Sequence, residues 1–204
     1  RLRKQRVKLS LNKNSLKQQR DQLAMYRRFL PSLDLKRQQL LGAWKKSRQD
    51  LEQAEREIQS YREELEHLLP LLGSSTLETR DLSSLVRVKE VAIDEENVVG
   101  ARVPVLRRID FEHAKYSTLT FPFWVDQLVV SLETYAKLRV RLQISQVRAE
   151  RLGAAARKIT QRVNLFEKVL IPTALENIKK IGIALTDEER AAVVRSKLSK
   201  GKRR

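Results

Sequence analysis

Apolar residues recur along this chain at alternating steps of three and four over two long stretches. From Leu16 the stepping passes Gln19, Leu23, Tyr26, Leu30, Leu33, Arg37, Leu40, Trp44, Ser47, Leu51, Ala54, Ile58, Tyr61, Leu65, Leu68 and Leu72. From Leu128 it passes Ser131, Tyr135, Leu138, Leu142, Ser145, Ala149, Leu152, Ala156, Ile159, Val163, Phe166 and Leu170. A repeat of about 3.5 residues holds one seam of a helix against a partner helix, which is what a coiled coil requires. Folded back on each other, the stretches set Trp44 opposite Leu152 and Leu30 opposite Phe166. The fold class this predicts is mainly α, a long antiparallel two-helix coiled coil from the N- and C-terminal segments. A short central β-hairpin and a short helix complete it.

The punctuation divides the chain into three segments. Residues 1–72 read as one helix, kinked near Pro31, where the ring removes a backbone donor although the heptad phase continues from Leu30 to Leu33. Pro70 and Gly73 end it. In 73–121, Ser75 with Glu78 resembles a capping box opening a short helix. The period then falls to two: Val86, Val88, Val91 and Ile93 read as a strand, Asp94 to Asn97 as a turn, and Val98 to Val105 as the returning strand. A lone hairpin is marginal in water, so it is expected to pack on the helices or on a partner. The third segment, 122–204, starts with Pro122 in a helix first turn and Asp126 near its positive end. Pro172 is expected to kink it, with the apolar set resuming out of phase at Leu175, Ile178, Gly182 and Leu185. Thr186 and Glu189 read as a further cap before the basic tail, Lys197 to Arg204.

Charge changes this picture by giving the rod polarity. The formal net charge is +17, which favours an acidic protein, a nucleic acid or an anionic membrane as partner. Residues 1–50 carry 15 Lys or Arg against Asp21, Asp34 and Asp50, whereas Glu52, Glu55, Glu57, Glu63, Glu64 and Glu66 reverse the sign over 51–70. Antiparallel pairing therefore brings a basic start together with a basic tail. No apolar run approaches the ~18 residues of a membrane span, and the basic N-terminus lacks the apolar run of a secretory leader, so neither is expected. Without cysteine, disulfides and thiolate chemistry are excluded.

Catalytic chemistry is not legible. Glu63 and His67 share a helix face at a spacing two metal ligands could use, but no further ligand is near and a solvated charged face explains them. The six glycines form no phosphate loop or dinucleotide fingerprint. No Ser, His and acid set marks a nucleophile. Trp44, Trp124, Tyr26, Tyr61 and Phe166 fall at heptad positions, where core packing is the default over base stacking. No catalytic, cofactor-binding or metal-binding residue is assigned.

Arg162-Val163-Asn164-Leu165-Phe166-Glu167-Lys168-Val169-Leu170-Ile171-Pro172 resembles the C-terminal signature of the D subunit of V-type and archaeal A-type rotary ATPases. Asn177 to Ile181, Leu185 with Asp187 to Arg190, the basic tail, Leu16 to Leu23, and Gly100 with Val103-Pro104 fit as well. Tyr116 to Val129 is similar to the bacterial branch. Leu30-Pro31-Ser32 departs from the uninterrupted helix many members keep.

The resemblance implies a central-stalk rotor shaft carrying torque between the A–B hexamer and a membrane rotor ring. ATP would be made or split on the A and B partners, leaving this chain non-catalytic and without a cofactor. The F subunit and a funnel-shaped coupling protein, called C or d, are the other implied partners. The implied location is cytoplasmic, peripheral to the membrane. The seam would comprise Leu16, Leu23, Leu30, Trp44, Leu51, Ile58, Leu65, Leu128, Tyr135, Leu142, Leu152, Ile159, Val163, Phe166 and Leu170. Contacts to the hexamer are expected from Arg20, Arg27, Arg28, Arg162, Lys168, Lys179, Lys180 and Arg190.

Three rivals stand beside this reading. The gamma subunit of F-type ATPases is mechanically close, but its middle is larger than residues 73–121 allow. A basic coiled coil could bind nucleic acid non-specifically through its Lys and Arg; none is expected under the shaft reading. A plain dimeric scaffold would pair each long helix between chains.

Overall fold

The structure, a computed structural model, describes residues 9–66, 85–113 and 124–201. Helix α1 spans Lys13–Glu66, strands β1 and β2 span Val86–Val98 and Ala101–His113, and helix α2 spans Trp124–Leu165. A π-helical turn, Phe166–Leu170, leads directly into helix α3, Ile171–Gly201. The predicted short helix after Ser75, the end at Pro70 and Gly73, Leu68, Leu72, and Pro122 lie outside the described residues. Two compact units divide the fold: residues 1–37 with 158–204, and residues 38–157.

In the first unit, α1 begins at Lys13 and not at residue 1 as expected, just before the first seam residue, Leu16. The Asn12 side chain accepts a hydrogen bond from the Ser15 amide at 2.7 Å, and its carbonyl accepts the Leu16 amide at 3.0 Å. A short carbonyl side chain satisfying an otherwise unpaired first-turn donor fixes a helix start. The helix runs on through Pro31, with the Ser32 hydroxyl donating to the Phe29 carbonyl at 2.8 Å. Leu16, Leu23, Leu30, Ile159, Val163, Phe166 and Leu170 are all buried or half-buried. Tyr26 meets Phe166 edge to face, with centroids 5.4 Å apart, and Asn177 donates to the Gln19 side chain at 3.2 Å. Falling numbers on one helix meet rising numbers on the other, so the two run antiparallel. Phe166 thus packs on Tyr26, one turn from the Leu30 predicted for it.

The change of phase near Pro172 has a backbone cause. The Ile171 amide donates to the Phe166 carbonyl, an i to i−5 bond that inserts one extra residue into the turn. The seam therefore advances by one residue, and Ala174 and Ile181 are buried beyond it. Leu175, expected on the seam, is instead 43% exposed. The predicted break at Thr186 is also absent: its hydroxyl donates to the Gly182 carbonyl at 2.9 Å, within an unbroken α3. A hydroxyl bonded back to the preceding turn cannot cap a new one.

In the second unit, Trp44, Leu51, Ile58, Leu65, Leu128, Tyr135, Leu142 and Leu152 are likewise buried or half-buried. Here too the helices are antiparallel. The Trp44 indole lies where a side chain on Gly153 would stand, Arg141 reaches Glu57 at 3.9 Å, and the Tyr61 hydroxyl donates to the Ser131 carbonyl at 3.3 Å. The hairpin packs on these helices rather than standing free, with Val103 and Pro104 buried. Its root joins a cluster of Leu85, Val125, Leu128 and Val129, flanked by Val86, Trp124 and Leu132.

The hairpin is longer than its sequence predicts. Pairing runs from Val86 with His113 to Val98 with Ala101, passing through Asp94 to Asn97 without turning. The reversal falls at Val99 and Gly100, whose φ values of 53° and 86° are the pair a tight primed turn needs. Asn97 fixes it by accepting the Gly100 amide at 2.7 Å. The acids that look like a turn are strand residues held by arginines of α2. Glu96 pairs with Arg148 at 2.9 Å and Glu95 with Arg151 at 3.5 Å. The register shifts once between Val88 and Glu90 and back between Ala92 and Ile93, so Lys89 and Arg107 are each left over as a bulge.

Candidate interaction surfaces

All eight cations expected to meet a partner belong to the first unit, and all are exposed. Arg20, Arg27 and Arg28 sit on α1, Arg162 in the last turn of α2, Lys168 in the π turn, and Lys179, Lys180 and Arg190 on α3. Two are tied to acids of their own helix: Lys180 to Glu176 at 3.6 Å and Arg190 to Asp187 at 4.0 Å. Exposed pairs at these spacings hold little free energy, about 0.3–0.5 kcal/mol, so they release their cations readily. The helices thus present a broad cationic surface suited to carboxylates.

A second feature of this unit is invisible in the seam pattern. Met25, Phe29, Leu165 and Val169 are each about half exposed, at 46%, 51%, 46% and 50%. The signal is available in the sequence: each lies beside a seam position, outside the a and d sites that a heptad search counts.

The second unit carries a groove of about 540 Å³ between α1, β2 and α2. Its lining combines the charged Lys46, Asp50, Glu57, Arg141 and Arg148 with the apolar Val105, Leu106, Ile144 and Leu152. Near the hairpin root, His113 Nε2 contacts Glu133 Oε1, and Lys137 approaches Glu133 Oε2 at 3.4 Å. The Lys137 ammonium also lies 5.2 Å from the centre of the Phe111 ring. The His113 hydrogen bond holds the Glu133 carboxyl below the usual glutamate range; burial opposes this, and Lys137 reinforces it.

Among the described residues no group of three or more His, Cys, Asp or Glu side chains is placed to hold a metal ion. Nor is any helix among them long and apolar enough to cross a membrane. The predicted Glu63 and His67 pair cannot be placed, because His67 lies outside the described residues.

Residues 15–201 match the family of ATP synthase D subunits. The V-type ATP synthase D subunit of Borreliella burgdorferi is 38% identical, over 95% of this chain and 94% of that protein. The protein of the same name from Chlamydia muridarum is 31% identical over 95% of each chain. That of Chlamydia pneumoniae is 30% identical over 96% of this chain and 93% of its own. Near-complete coverage in both directions leaves no large part of the fold unaccounted for, and the chain belongs to the ATP synthase D-subunit family.

Proposed function

We propose that this chain is the central-stalk rotor shaft of a V-type or A-type ATPase, carrying torque between the A–B hexamer and a membrane rotor ring. The observation that carries the reading is the family match over residues 15–201. Two antiparallel helices with an exposed cationic surface suit a shaft mechanically and electrostatically. In this reading the chain is non-catalytic: ATP is bound and turned over on the A and B partners, and sequential closure of their interfaces pushes on the cations of the first unit. The segments 1–72 and 122–204 form the shaft, with the hairpin segment 73–121 between them in the chain, and the F subunit joins them in the stalk. The funnel-shaped protein called C or d links the shaft to the ring, placing the chain peripherally at the cytoplasmic face of the membrane. The nucleic-acid alternative gains nothing from the relatives.

The test is charge reversal. Replacing Arg27, Arg28, Arg162 and Lys168 by Glu is expected to weaken binding to the A–B hexamer at least tenfold at low salt, and the variant should gain affinity as added salt screens the repulsion. The same affinity and salt slope as the unaltered chain would refute the assignment of these cations.

A further inference from the structure

Met25, Phe29, Leu165 and Val169, four of the half-exposed apolar residues of the first unit, share one side of the helix pair. Tyr26 and Phe166 face each other across the seam. On α1, Met25 precedes Tyr26 by one residue and Phe29 follows it by three, so both lie on the same flank at 100° per residue. Leu165 and Val169 stand in the same relation to Phe166. In an antiparallel pair, equivalent flanks of the two helices fall on the same side. The four side chains therefore alternate along that side, Val169 and Leu165 interleaving with Met25 and Phe29. Val169 belongs to the π-helical turn, a backbone irregularity that α-helices tend to carry at functional sites.

Arg162 falls on this flank too, one turn before Phe166, and Lys158 lies one turn further back. Neither is ion-paired among the described residues. A contiguous apolar surface with a charged rim is the pattern of a contact site rather than of an idle surface. The cationic rim selects the occupant. A second copy of this chain would bring Arg162 and Lys158 against their own kind, whereas a carboxylate-bearing segment would satisfy them.

We propose that Met25, Phe29, Leu165 and Val169 form one apolar docking patch, whose occupant is an acidic segment of the A–B hexamer that seats an aliphatic or aromatic side chain between flanking carboxylates. The proposal rests on the shaft reading and deepens it: cations attract the hexamer's acidic surface, and this patch fixes where the shaft is gripped.

The test compares the full chain with its Met25→Ser, Phe29→Ser, Leu165→Ser, Val169→Ser variant in binding to the purified hexamer, at about 50 mM and about 500 mM salt. The variant is expected to bind at least tenfold more weakly, and by nearly the same factor at both salts, because apolar burial is not screened. Equal binding of variant and parent would overturn the patch while leaving the shaft reading intact. Failure of the unaltered chain to bind would instead remove the shaft reading itself. Should the fourfold variant lose cooperative unfolding, Phe29→Ser alone carries the test, with at least a threefold loss expected and no loss overturning the patch. Dimerisation of the parent in sedimentation, abolished in the variant, would transfer the patch to a second copy and overturn the assigned occupant.

Discussion

Single residues decide how closely the helices of the second unit approach. A Cβ on Gly153 would stand 2.9 Å from Nε1 of Trp44, nearer than real side chains come, whereas one on Gly42 would meet nothing within 4 Å. Both glycines are helical, so alanine gains about 1 kcal/mol of propensity at either. Gly42→Ala is expected to raise stability by up to that amount. Gly153→Ala should lower it, because overpacking costs about 1–3 kcal/mol; thermal melts of the two variants check the contrast. At the hairpin tip, a β-branched residue in the left-handed region costs roughly 1–2 kcal/mol. Val99→Asn should therefore be stabilising, and a lower melting temperature would contradict the turn.

At the hairpin root, Glu133 has its pKa lowered by His113 and Lys137. A carboxyl depressed on folding stabilises at pH above its unfolded value, and that contribution is lost as pH falls through the folded one. The parent should lose melting temperature more steeply than Glu133→Gln between about pH 6 and about pH 3. Parallel curves would show that the contact does not form. Residue-level features such as these are mostly illegible in the sequence. Asn12 and Asn97 are ordinary polar residues until the backbone places a free amide within 2.7 Å of each.

Elements are far easier to read than residues, because a period of about 3.5 is written many times over along a long helix. Every heptad position from Leu16 to Leu65 and from Leu128 to Leu170 is buried or half-buried, and the pattern fails only beyond the π turn, at Leu175. The sequence misleads where one local signal is weighed alone. Asp94 to Asn97 looks like a turn by composition, yet the positive φ values that reverse the chain fall at Val99 and Gly100, and Glu95 and Glu96 pair from the strand with Arg151 and Arg148 of α2. Thr186 with Glu189 looks like a cap, but only the structure shows the hydroxyl turned back to Gly182. The shift of phase near Pro172 is legible, while its mechanism, one residue inserted in a π turn, is not. That mechanism is testable: one extra residue is undone by removing one. Deleting Glu167 should let α2 run into α3 as regular helix with Ala174 and Ile181 still on the seam, and unfolding should stay cooperative. Inserting an alanine there should rotate Ile181 off the seam and lower stability by about 2 kcal/mol or more, the usual cost of exposing a buried large aliphatic side chain. Equal stabilities would contradict the role given to this turn.

For the whole molecule, the formal charge of +17 favours acidic partners without naming any. Family membership converts that charge into a specific expectation. The interaction surface is legible only in part: the exposed cations follow from composition, whereas the apolar patch emerges once Tyr26 and Phe166 are known to face each other. The central claim is that one copy of this chain works inside a ring of partners. Native mass spectrometry of the full chain mixed with the A–B hexamer tests it most directly. The account predicts a complex holding a single copy per hexamer, because one axle fills the centre of a ring. Several copies per hexamer, or no complex at all together with retention on duplex DNA at moderate salt, would contradict it.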